Sequence, residues 1–144
     1  MALYKNILLA LDLTEQSEAV GRRAMEIAEA CDAKLTLLHV VEYVPVDPSG
    51  EALLPTPVDL EEELLDSARK RLDTLADKLH IKSCRRRVEL GAIKAQIVRV
   101  VDEIEADLLV LGSHERHGLE LLLGSTGRAI FSASPCDVLA IRLP

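Results

Sequence analysis

A chain of 144 residues is the size of one ordinary domain, long enough to bury roughly 70% of its unfolded surface. A formal net charge of −7, with one Phe, two Tyr and no Trp, opposes nucleic acid as a partner, because both a basic face for phosphates and rings for stacking bases are lacking. Hydrophobic residues make up 49% and charged residues 28%, the balance of a soluble globular protein, and no run reaches the about 18 apolar residues of a membrane span.

Cys31, Cys84 and Cys136 are widely spaced with no Cys-x-x-Cys pair. They read as near-core thiols of a reducing, cytoplasmic compartment, not as a disulfide framework or zinc site. The first apolar run stops at Asp12, too early for a secretory signal.

In chain order, "NILLALDL" is an apolar run expected to form a strand buried on both faces. Thr14 is the expected N-cap of the helix that follows, with Glu15 adding charge at its start. Val20, Ala24, Ile27, Ala28 and Cys31 then share one helical face. "KLTLLHVVEY" reads as a second buried strand. Residues 43–58 hold four prolines and a glycine, so a loop is expected there. Leu60, Leu64, Leu65, Ala68, Leu72, Leu75 and Leu79 mark a helix over 59–80, with Asp66 and Lys70 placed to pair across one turn. "KSCRRRVEL" reads as a third strand. Its arginines alternate in face and suit a sheet edge better than a basic nucleic-acid patch.

After Gly91, Ile93, Ile97, Val100, Val101 and Ile104 mark another helix. "DLLVLG" is strand four, "GSTGRAIFSAS" contains helix four and "CDVLAIRL" is strand five. Alternating helices and continuous apolar strands imply an α/β fold, a parallel sheet covered on both faces. Right-handed crossovers make it a doubly wound three-layer sandwich in a single domain over 1–144.

Ligands in such sheets sit at the carboxyl ends of the strands. That singles out Asp12, the stretch from His39 to Glu42, and the loop "GSHERHGLELLLGST" from Gly112 to Thr126. A strand–glycine–loop–helix frame offers backbone N–H groups to an anion, yet equally describes a strand end and a helix capped by Ser125 or Thr126. No Walker A or Gly-x-Gly-x-x-Gly pattern occurs. His114 and His117 lack the partners of a metal site, and His114 lacks a nucleophile to serve as a base. No metal and no catalytic residue is assigned. Leu119, Leu121, Leu122 and Leu123 are unusually apolar for a loop and fit a plug beneath it or, less simply, a partner surface.

"YKNILLALDLT", "LTLLHVVE" and "ADLLVLGSHERHGLELLLGSTGRAIFSASPCDVLAIRL" resemble the universal stress proteins over essentially the whole chain, and "RHGLELLLGST" is most similar to the A-type bacterial members. The resemblance implies a five-stranded sheet of order 3-2-1-4-5 and a homodimer, often through antiparallel pairing of strand five. Many relatives bind ATP or AMP through a motif of Gly, two residues, Gly, nine residues, Gly, then Ser or Thr. Carried over, Gly112 takes the first glycine, Gly124 with Ser125 the last pair, Asp12 the acid near the nucleoside, and Val40 the residue whose backbone reads adenine. Ser113, His114 and Thr126 complete the implied set.

Glu115 stands at the second glycine, and eight residues, Arg116 to Leu123, follow where the motif has nine. Glycine there lets a backbone approach phosphate, whereas a glutamate at 4 Å and an effective dielectric of 20 repels a like charge by roughly 4 kcal/mol. The resemblance therefore implies a cytoplasmic, homodimeric regulatory or interaction protein of stress resistance with weak or no ATP binding, no firm cofactor and no turnover chemistry. An ATP- or AMP-sensing module and a slow nucleotide hydrolase are the alternatives, and further protein partners fit the first reading.

Overall fold

Four apolar segments and one arginine-rich segment become the five strands of one sheet. The computed structural model describes residues 3–42, 57–81, 84–112 and 136–142. Its strands are β1 (Asn6–Ala10), β2 (Lys34–Val41), β3 (Arg85–Leu90), β4 (Leu108–Gly112) and β5 (Asp137–Ile141). They lie in the order β3-β2-β1-β4-β5, and each neighbouring pair is parallel. The described helices are α1 (Ser17–Cys31), α2 (Pro57–Lys78) and α3 (Ile93–Glu103). The predicted helix in 124–134 lies outside the described residues.

The continuous apolar runs are explained by two-sided burial. Odd-numbered Ile7, Leu9 and Leu11 of β1 and its extension pack with Val20 and Ala24 of α1 and with Leu72 and Leu75 of α2. Even-numbered Leu8 and Ala10 pack with Ile97, Val100 and Val101 of α3 on the other face. The central strands β1 and β4 are closed in on both sides.

Three local expectations change. Helix α1 begins at Ser17 with Gln16 at the N-cap, not Thr14. Leu13 takes a left-handed φ of 59°, and the chain spends residues 14–16 coming round before it can enter the helix. Thr14 contributes otherwise: its N–H donates to Ser17 Oγ at 3.0 Å, and Ser17 N–H donates to the Thr14 carbonyl at 3.1 Å. Helix α2 begins at Pro57, inside the expected loop, at the helix start where a missing N–H does least harm. Asp66 pairs with Arg69 at 3.0 Å, not with Lys70.

The β3 arginines behave as edge residues. Arg86 reaches Asp73 of α2 at 2.7 Å, on one face. Arg87 and Glu89 turn to the other and form a closed ring with Arg99 and Glu103 of α3. Arg87–Glu89 is 2.7 Å, Arg99–Glu89 2.9 Å, Arg99–Glu103 2.8 Å and Arg87–Glu103 3.3 Å. Charges of both signs along an outer strand oppose further strand addition.

Candidate functional site

Strand order reverses between β1 and β4, so the chain leaves their carboxyl ends in opposite directions and opens a crevice there. Pairing of Ala10 with Leu38, continued by Leu11 N–H donating to the Leu38 carbonyl at 2.9 Å, brings Asp12 to the level of Val40. Pairing of Leu9 with Val110 brings Gly112 to the level of Leu11. With strands about 4.8 Å apart, Asp12, Val40 and Gly112 therefore lie near one another at the carboxyl end of the sheet. Val40 is buried on the α3 face, Gly112 closes β4, and Asp12 is half-buried in the turn after β1. Ser113, His114, Glu115, Gly124, Ser125 and Thr126 lie outside the described residues.

The turn carrying Asp12 is held from two other elements. His39 Nδ1 of β2 is 2.7 Å from the Leu11 carbonyl oxygen. A carbonyl brings no proton, so Nδ1 donates. Arg71 Nη2 of α2 donates to the Leu13 carbonyl at 2.6 Å. Burial pushes the His39 pKa below its ordinary value and nearby Arg71 adds to this, against the Leu11 hydrogen bond and the Asp12 charge. Beside the turn, a cleft of about 260 Å³ runs past Thr14, Glu18, Arg71, Thr74 and Lys78.

The end of β3 lies beside the end of β2. Gly91 has φ 142°, a conformation suited to glycine, and its N–H donates to the Val41 carbonyl at 3.0 Å. Glu89 is the register partner of Val40, so the ring of arginines and glutamates stands next to that strand end. Since Arg86, Arg87 and Arg99 are engaged in ion pairs, the arginine run of β3 is not a basic patch.

A larger hollow, about 1100 Å³, lies at the opposite, amino ends of the strands around Asn6, Lys34, Thr36, His80 and Cys84. Its rim is tied together by structure: the Asp107 carboxylate accepts from the N–H groups of Lys5 and Asn6 at 2.8 and 3.0 Å, and Asn6 Nδ2 donates to the Ile104 carbonyl. Among the described residues no group of three or more His, Cys, Asp or Glu could hold a metal ion. No helix among them is long and apolar enough to cross a membrane.

His39 was within the expected strand-end set, but Arg71 was not. It sits on the polar side of an amphipathic helix, where an arginine carries no sign of a distant carbonyl partner.

The sequence model of the Universal stress protein family matches residues 3–142. Universal stress protein A homolog 1 of Coxiella burnetii is 39% identical over 138 residues, covering 96% of each chain. The universal stress protein UspA from Lactobacillus plantarum superposes with a TM-score of 0.71 at 26% identity, over 99% of this chain and 100% of that one. A universal stress protein in complex with cAMP superposes with a TM-score of 0.59 at 26% identity, over 96% of this chain and 97% of that one. Sheet order, helix placement and sequence agree: the chain belongs to the universal stress protein family.

Proposed function

We propose that this protein is a non-catalytic, homodimeric, cytoplasmic regulatory protein of stress resistance whose carboxyl-end crevice takes an adenine mononucleotide weakly and ATP more weakly still. The observation that carries the reading is the proximity of Asp12, Val40 and Gly112 at the carboxyl end of the sheet. A relative crystallised with cAMP supports the choice of ligand. Charge supports the order of preference. A cyclic monophosphate carries a single negative charge, AMP more and ATP the most, and Glu115 adds repulsion that grows with ligand charge. Ser113, His114, Gly124, Ser125 and Thr126 are the proposed phosphate-side contacts, by carry-over from the family motif.

The two sheet edges support the dimer. β3 carries the charged ring, whereas β5 presents Leu139, 38% exposed, on one face and exposed Ala140 on the other. An apolar edge invites a second copy; a charged one does not.

The test is a thermal-shift titration with cAMP, AMP and ATP, with phosphate release followed in parallel. Saturation at 100 times the dissociation constant adds about 2.7 kcal/mol of stability. The expected order of shifts is cAMP, AMP, ATP, with no phosphate released. No shift with any nucleotide at millimolar concentration rejects the crevice reading and leaves a nucleotide-independent interaction protein. Steady phosphate release establishes the hydrolase instead.

A further inference from the structure

We propose that His39 and Arg71 are positioning residues for Asp12, clamping the turn that presents it to the ribose of a bound mononucleotide; the proposal rests on the crevice reading above. Asp12 lies between two carbonyls that are each held by a side chain from another element. His39 Nδ1–H holds the Leu11 carbonyl at 2.7 Å from β2, and Arg71 holds the Leu13 carbonyl at 2.6 Å from α2. The first bond fixes the peptide plane leading into Asp12. The second fixes the plane that follows Leu13, whose φ of 59° costs energy for a residue with a side chain.

Neighbouring groups complete the clamp. Leu11 N–H is committed to Leu38, and Thr14 N–H to Ser17 Oγ. The turn is thereby tied to β2, α1 and α2 at once. A ligand that needs Asp12 in one place gains from a turn ordered before it arrives, because the ordering cost is not charged to binding.

The clamp has a tautomeric signature. To donate from Nδ1 while neutral, His39 must carry its proton there and keep Nε2 as an acceptor. A histidine that merely filled space would have no reason to select that form.

Two measurements test the proposal. Long-range proton–nitrogen NMR of the unliganded protein should show His39 as the Nδ1–H tautomer; the Nε2–H form overturns the clamp. Calorimetric titration with cAMP then compares wild type with His39→Leu, His39→Asn, Arg71→Met and Arg71→Lys. Loss of the donor in His39→Leu or Arg71→Met should weaken binding about tenfold. His39→Asn and Arg71→Lys, which can still donate, should restore most of it. Wild-type affinity in His39→Leu overturns the proposal. If wild type binds none of cAMP, AMP and ATP, the crevice reading fails, and the clamp is decided by amide exchange: Thr14 should exchange faster in folded His39→Leu, and unchanged protection overturns it.

Discussion

Gly21 of α1 and Leu79, the residue just past the end of α2, approach so closely that a β-carbon placed on the glycine would stand 2.5 Å from Leu79 Cδ1. Leu79 is fully buried, so its side chain has little room to retreat. The glycine is there for the helix–helix contact, since its backbone is an ordinary helical one. Gly21→Val should destabilise the protein by about 1–3 kcal/mol through overpacking, read as a fall of several degrees in melting temperature. Combined with Leu79→Ala it should cost less than the sum of the two single substitutions, whereas an independent pair would sum.

Glu89 is the most enclosed acid of the charged ring, at 23% exposure against 49% for Glu103, and both arginines touch it. Removing it leaves the two guanidinium groups to share Glu103 alone. Glu89→Ala should therefore cost about 1–2 kcal/mol in urea unfolding, and Glu103→Ala less than about 1 kcal/mol, as expected of a half-exposed pair. Added salt should narrow the difference by screening the exposed member first. Equal costs would mean that the ring does not act as a unit.

The depressed pKa of His39 sets a sign for the pH dependence. The unfolded chain takes up the proton near pH 6.5 and the folded one at lower pH, so within that window the unfolded state binds more protons. The contribution of His39 is fully present above the unfolded pKa and is lost as pH falls through the folded pKa. Subtracting the stability curve of His39→Asn from that of wild type isolates it. The wild-type advantage should shrink as pH falls below about 6.5. An advantage that grows on acidification contradicts a buried, neutral imidazole.

The proposed dimer depends on the outer edge of β5, where Leu139 is exposed. Leu139→Lys places a charge in the middle of that edge and should shift the sedimentation mass from dimer to monomer with the fold intact. A β3 substitution such as Arg85→Glu should leave the mass unchanged.

Glu115→Gly removes a side chain and a negative charge from the proposed phosphate-side segment. If repulsion sets the ligand order, ATP should gain more affinity than cAMP, by about tenfold or more for a like-charge contact of a few kcal/mol. Equal gains for the two would point to steric relief instead.

Much of the fold was legible locally. Two-sided strands announce themselves as unbroken apolar runs such as "ILLAL", and α1 and α3 by their 3.6-residue stripes. Those signals depend only on neighbours in the chain, and with right-handed crossovers they lead to a doubly wound parallel sheet, whereas the order 3-2-1-4-5 was implied by the family resemblance. Helix boundaries were less legible: a left-handed Leu13 delays α1, and Pro57 starts α2 early, for reasons that lie in turn geometry. At the carboxyl ends of the strands, Asp12 and the stretches that contain Val40 and Gly112 could be named from position alone, and Val40 and Gly112 individually only from the family resemblance. Which side chains hold them could not. Arg71 acts on a carbonyl 58 residues away and His39 on one 28 residues away, and Arg87 finds Glu103 sixteen residues on. Such pairings exist only once parallel crossovers have stacked α2 and α3 on opposite faces, because periodicity specifies which face of a helix is buried but not which distant backbone its polar face will meet.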